Sequence, residues 1–201
     1  SRGPHLGPPP VADSYPFYVL IESAGADLEA EAGHFLDALT RATDLGLLQD
    51  AVLAQSEKER AAFWAIRDNI ESLAALWPLA IFDISLPLAT MEDYLERTGA
   101  RLAQRLGELR WVTFGHLGDS NLHLAIALGG DDPDLRHAVE EIVYGELAGI
   151  GGSVSAEHGI GLDKREFLHC SRSAAEIELM KTLKRALDPR NILNPERIFR
   201  L

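Results

Sequence analysis

Cysteine is nearly missing from the 201 residues, with Cys170 standing alone. No disulfide can close within the chain, and no cysteine cluster can hold a metal. A single thiol suits a reducing compartment, and a cytoplasmic location is the expectation. Basic charge is also short. Nineteen Lys and Arg face 31 Asp and Glu, for a formal net charge of −12. Such a surface repels nucleic acid and anionic lipid, so neither is an expected partner. No apolar run reaches the roughly 18–20 residues that a membrane-spanning helix needs, so no transmembrane segment is expected. The chain opens Ser1-Arg2-Gly3-Pro4 without methionine or a signal-peptide pattern, so a processed chain or a piece of a longer one is expected. No short repeat period suggests a solenoid.

What remains is an ordinary globular composition, 46% hydrophobic and 25% charged, on a length able to bury one good core or two small ones. Residues 1–15, rich in Pro and Gly, read as a linker, and a domain is expected upstream of it. Residues 16–201 follow as one domain. Apolar runs at 17–25 and 51–55 read as strands, and 79–88 as a third. Helical patterns run from Asp27 to Gly46, from Ser56 to Leu76 with Glu59 completing a capping box, and from Thr90, as cap, to Leu106. Two more helices follow around 131–150 and 173–188. Residues 110–128 read as a hairpin. Strands alternate with helices, yet two strands meet in a hairpin. That mixture favours an α+β fold, an antiparallel sheet with helices packed on one face in a ferredoxin-like layout, over a doubly wound parallel sheet.

The hairpin carries "GHLGDSNLHL" (115–124). A turn centred between Asp119 and Ser120 sets His116 opposite His123. Opposed side chains lie about 4.5–5.5 Å apart on one face, close enough to share a cation. The other face would carry Trp111, Thr113, Leu117, Leu122, Leu124, Ile126 and Leu128 toward the core. On the hairpin alone, a metal pair and two incidental surface histidines both stand. A metal also needs a third ligand. "SAEHGIG" (155–161) supplies Glu157 and His158 in a glycine-rich bend. Neighbouring side chains diverge, so Glu157 on the metal with His158 beside it, free to take a proton, is the sensible division. A dinucleotide loop is rejected: Gly149 and Gly151 start the pattern, but Val154 fills its last position and a helix precedes it. His5, His34, His137 and His169 have no partner pattern and read as structural or surface groups. Phe63 and Trp64 read as core. Lys164 reads equally as facing an anion or as solvated.

Five segments in order, "FWAIRDNI", "FDISLPL", "GHLGDSNLHL", "SAEHGIGLDK" and "DPRNILNPERIF", resemble the C-terminal substrate domain of the FAD-linked oxidases. These include the D-lactate, glycolate and D-2-hydroxyglutarate dehydrogenases of the vanillyl-alcohol oxidase superfamily. The resemblance implies oxidation of a small D-2-hydroxy acid with FAD, which an upstream domain would bind. The electron acceptor is not identified by it. It also implies a divalent metal, zinc or manganese, on His116, His123 and Glu157, with His158 as general base. Arg67 would hold the substrate carboxylate, with pairing to Glu71 as the alternative, and Asn121 would help to orient the substrate. Residues 188–201 would return to the flavin domain, with Asn194 at the cofactor. Three departures stand out. Ser120 replaces a turn glycine, Ala125 an asparagine frequent in such dehydrogenases, and Ile81 a lysine found in some dicarboxylate-specific members. A stand-alone metal- or small-molecule-binding module of the same fold is the other function class.

Overall fold

The computed structural model of the chain describes residues 9–11 and 15–201. The expected linker and His5 fall largely or wholly outside these. Two compact units divide between Ser72 and Leu73, inside the single domain expected over 16–201. Among the described residues the buried hydrophobic cluster lies entirely in the second unit.

In the first unit, α1 (Leu28–Asp44) is capped by Asp27, whose carboxylate accepts from the N–H groups of Glu29 and Ala30. The helix stops before Gly46, which takes a left-handed φ of 69°. The second helix, α2 (Glu57–Arg67), opens on Ser56, whose hydroxyl accepts the Glu59 N–H. The return arm of the expected capping box reaches one residue further back, where Gln55 N–H donates to Glu59 at 2.6 Å. α2 ends at Arg67 rather than Leu76, and residues Ile70–Leu76 tighten into a 3-10 turn. Asp68 and Asn69 explain the break, because their short polar side chains compete with the helical backbone.

The expected strands at 17–25 and 51–55 do not form. Among the described residues the sheet has three strands, none from these segments. Phe17, Val19 and Ile21 are exposed, as are Val52 and Leu53. Apolar composition supplies strand propensity, but a strand also needs a partner edge, and that is not a local property.

In the second unit β1 (Leu79–Ser85), β2 (Trp111–His116) and β3 (Asn121–Ala127) form an antiparallel sheet in the order β1-β3-β2. Between β1 and β2 runs α3 (Met91–Leu106), and α4 (Pro133–Gly145) follows β3. Thr90 caps α3 by position, but its hydroxyl donates to Pro87 O instead of receiving a helix N–H. Ser153 exchanges two backbone hydrogen bonds with Ser85 on the free edge of β1, at 3.0 and 2.7 Å. A fourth strand of the ferredoxin-like layout is thereby reduced to one bridge. Gly152 permits it: a Cβ there would lie 2.9 Å from Leu147 and 3.1 Å from the Ser85 carbonyl.

Alternation along β1 and β3 sends Phe82, Ile84, Leu124 and Ile126 to one face, where Tyr94, Leu102, Val139 and Val143 of α3 and α4 bury them. The helices therefore pack on one face, as expected. Edge strand β2 joins that core less than expected: Thr113 is exposed, and Leu117, in the turn, is 55% exposed. The last helix, α5 (Ala174–Leu187), carries the Ser173–Glu176 capping box and buries no residue.

The hairpin register differs from the expected one by two residues. His116 pairs with Asn121 and Phe114 with His123, around a loop of residues 117–120. A 3-10 turn at Leu117–Asp119 and Ser120 at φ 57° make that loop longer than a two-residue turn. A shift of two preserves which face each side chain occupies, whereas a shift of one would have reversed it. Gly115 meets this register without a side chain because a Cβ would lie 2.3 Å from Asn121 O.

Between α3 and α4, Arg97 and Arg101 donate to Glu146 at 2.9 and 2.8 Å. Burial pushes the Glu146 carboxyl up, but the two guanidinium hydrogen bonds outweigh it and hold the group below its ordinary value. A depressed folded-state value adds stability that is fully present above the unfolded value and lost as pH falls through the folded one. Glu146→Gln should cost about 1 kcal/mol at neutral pH. The gap between wild type and variant should narrow as pH is lowered below about 4.3. Urea unfolding at pH 7 and in a descending acid series reads both.

Candidate metal and catalytic site

The face of the sheet away from the helices carries His116, His123 and Asp83. Asp83 pairs with His123 across β1 and β3, and His123 with Phe114 across β3 and β2. His116 lies one diagonal step away, with its ring 5.9 Å from that of His123 and nearly perpendicular to it. The 155–161 bend brings Glu157 over the pair. Its Oε1 lies 3.5 Å from His116 Nε2, and its Oε2 lies 4.0 Å from His123 Nε2. One ligand atom from each of the three residues falls within 4.8 Å of the others. Atoms around one zinc-sized ion at roughly 2.0–2.2 Å stand roughly 3.5 Å apart, so small side-chain rotations would close the set.

Asp83 is the residue that the sequence reading missed, and it organises the loop. It is fully buried. Its Oδ2 accepts from the backbone N–H of Glu157 at 3.0 Å, of His158 at 2.8 Å, and from the Ser155 hydroxyl at 3.2 Å. Lys164, also buried, donates to the Asp83 carbonyl at 3.1 Å, to Ser155 Oγ at 3.1 Å and to Asp83 Oδ2 at 3.4 Å. Of the two readings for Lys164, the anion-facing one holds. Burial alone would raise the Asp83 pKa. The backbone donors of His158 and Glu157, with the charge of Lys164, overcome that and lower it to about 2. The available signal was an acid in the middle of the apolar run "LAIFDIS".

Asp83 also backs both histidines. Its Oδ1, without a hydrogen-bond partner among the described residues, lies 4.0 Å from His123 Nδ1. Its Oδ2 lies 3.6 Å from His158 Nδ1. The His158 and His123 rings stack at 5.7 Å. Burial lowers the His123 pKa against the pull of Asp83 and Glu157, so the imidazole is neutral at pH 7, the form that binds a metal. A carboxylate behind Nδ1 leaves Nε2 for an ion, an arrangement common at histidine metal sites. The donor set therefore fits a divalent cation.

The other expected residues are placed as follows. Asn121 is buried beside Ser85 and His116, and neither atom of its amide has a hydrogen-bond partner among the described residues. Arg67 ends α2 in the first unit and pairs with Asp68 at 3.0 Å, with its guanidinium 5.9 Å from the Trp64 ring centre. The helix break at Asp68 removes the one-turn spacing on which a Glu71 pairing depended. Phe63 and Trp64 are half-buried, short of the core expected for them. Asn194 is exposed at φ 48° in the C-terminal segment. That segment returns to the 155–161 bend, where Ile198 N–H donates to Gly161 O at 2.9 Å. His34 is exposed on α1, His137 sits 3.6 Å from Glu141, and His169 contacts Glu166 O at 2.8 Å.

The family model for the C-terminal domain of FAD linked oxidases matches residues 6–198. The chain belongs to this family. Among its relatives, the mitochondrial D-2-hydroxyglutarate dehydrogenase of Bos taurus is 38% identical over 196 residues, which are 97% of this chain and 36% of that protein. The D-2-hydroxyglutarate dehydrogenase of Stutzerimonas stutzeri is 36% identical over 96% of this chain and 42% of its own length. A putative mitochondrial D-lactate dehydrogenase of Schizosaccharomyces pombe is 35% identical, covering 92% of this chain and 37% of its own length. The chain thus spans about two-fifths or less of the relatives it matches. Among the described residues, no helix is long and apolar enough to cross a membrane.

Removing one member of a buried pair strands the other, at about 3–5 kcal/mol. Asp83→Ala should cost this much in denaturant unfolding. With Lys164→Met added, the loss should be smaller than the sum of the single losses by about 1 kcal/mol or more. Strict additivity would contradict the pairing.

Proposed function

We propose that this chain is the substrate- and metal-binding domain of an FAD-dependent dehydrogenase that oxidises a D-2-hydroxy acid to a 2-oxo acid. The convergence of His116, His123 and Glu157 beside His158, in a chain of the FAD linked oxidase family, carries the proposal. The names of the relatives support the hydroxy-acid class. Zinc or manganese suits two imidazoles and a carboxylate, and supplies Lewis acidity toward a hydroxyl and carboxylate.

The chain's own groups then divide the work. His158 takes the hydroxyl proton, and Asp83, 3.6 Å from its Nδ1, stabilises the imidazolium that results. The family resemblance assigns Arg67, in the first unit, to the substrate carboxylate, which a guanidinium would hold through paired hydrogen bonds. The buried, unsatisfied amide of Asn121 suits a polar substrate atom. The C2–H bond breaks with its electron pair as the carbonyl forms, and FAD supplies the acceptor for that hydride. Asn194, exposed at its left-handed bend, is the group assigned to the cofactor side. The upstream FAD-binding domain expected from the sequence belongs to this reading, as does an electron acceptor of unidentified chemistry. So does a cytoplasmic location, supported by the single, buried, free thiol of Cys170.

Full-length protein purified without chelator should hold about one divalent ion per chain by elemental analysis. The His116→Ala, His123→Ala double variant should lose it, and retention would refute the ligand set. His158→Ala should keep the ion and lower kcat by about a hundredfold or more. Near-normal turnover would remove His158 from proton transfer.

A further inference from the structure

Lys164 lies outside the 155–161 bend, yet it holds the bend near both ends. Its backbone N–H donates to Ile160 O at 3.2 Å. Its ammonium reaches back to the first residue, donating to Ser155 Oγ at 3.1 Å, and across to β1, donating to the Asp83 carbonyl at 3.1 Å. Ser155 Oγ extends the connection, sharing its one proton between Asp83 Oδ2 at 3.2 Å and Gly159 O at 3.1 Å. One buried side chain therefore ties the start of the bend, its end and strand β1 together. The groups that the bend presents are held quite differently. The side chains of Glu157 and His158 are 46% and 57% exposed, so packing does little to fix them. Where they stand follows from the backbone of the bend, and that backbone is fastened by their two amides on Asp83 Oδ2.

We infer that Lys164 is a positioning residue for the metal, setting the affinity of His116, His123 and Glu157 by holding Glu157 over the two histidines. The inference rests on the metal site proposed above. The hydrogen-bond partners of Lys164 are Asp83, Ser155 and Ile160, and none of them belongs to the ligand set. The physical reason is charge. Asp83 Oδ2 gathers two amides and a hydroxyl, all neutral donors, and Lys164 adds a full positive charge 3.4 Å from the same oxygen. A buried carboxylate stripped of its counter-charge must recruit water or another donor. That newcomer competes with the Glu157 and His158 amides, and the bend loses its fastening to β1. A ligand that must be ordered as the ion arrives binds it more weakly than one already in place. Lys164 thus reaches the ion through the backbone that carries one of its ligands.

The test is the zinc affinity of full-length protein, stripped of metal and titrated against a competing chromophoric chelator. Circular dichroism identifies the variants that are folded. Lys164→Met, similar in length and without charge, should weaken zinc binding by about 10–100-fold. In a Glu157→Ala background the same change should weaken it by about twofold or less, because the ligand that Lys164 positions is already gone. Ser155→Ala keeps both charges and removes the hydroxyl link, and should repeat the pattern at about two- to tenfold. It carries the comparison if Lys164→Met does not fold. Equal losses with and without Glu157 would mark a general structural role and overturn the inference. Wild-type zinc affinity in the folded Lys164→Met or Ser155→Ala variant would overturn it as well. Both results leave the metal site standing when Glu157→Ala alone loses affinity. Failure of the wild type to bind zinc would overturn the proposed metal site, and this inference with it.

Discussion

A carboxylate with no access to water must be satisfied by whatever folds around it. In this chain one oxygen of Asp83, Oδ2, is satisfied by the loop that carries Glu157 and His158. Two consecutive backbone N–H groups converge on one of its oxygens, and Lys164 closes the cluster from the other end of the loop. The consequence is directional. With both amides turned toward β1, the side chains of Glu157 and His158 diverge, one toward His116 and His123 and the other toward Asp83 itself. Buried pairs of this kind are weak sources of net stability, because desolvation consumes much of the attraction. Here the cluster aligns a loop with a sheet and places the side chains of Glu157 and His158 in doing so.

The sheet separates tasks by face. Period-two alternation gives β3 Leu122, Leu124 and Ile126 for the helices and Asn121, His123 and Ala125 for the site, and all six are buried. A strand buried on both sides is rigid, so the histidine in its middle has little freedom to drift. The same alternation on β1 makes Asp83 a neighbour of His123 and leaves Ile81 one row further along. Polar and apolar side chains therefore occupy consecutive rows of one surface.

Much of this was legible from local pattern. The helix starts at Asp27, Ser56, Asp132 and Ser173 follow from side chains that satisfy first-turn N–H groups, a short-range property. The hairpin and the grouping of His116 and His123 on one face follow from strand alternation. Other features were not legible. The early end of α2 hung on Asp68 and Asn69 within an otherwise helical pattern. Residues 17–25 have strand composition but no ladder, since pairing depends on an edge elsewhere. The register moved by two because the loop of residues 117–120 centres between Gly118 and Asp119, one residue earlier than the expected turn, and sequence alone does not locate that centre.

The sequence by itself determined which residues are candidates for the site, through five ordered segments and a hairpin whose face survives a two-residue slip. It also determined the packing of helices on one side of an antiparallel sheet, through alternation and capping. Only the tertiary structure decided that Asp83 and Lys164 belong to the site, since 81 residues of chain separate the partners of that hydrogen bond. Only it set Ile81, Ala125 and Val112 in one row beside His123. Side-chain periodicity is written along the chain. Satisfaction of a buried charge and the register of neighbouring strands arise only when distant segments meet.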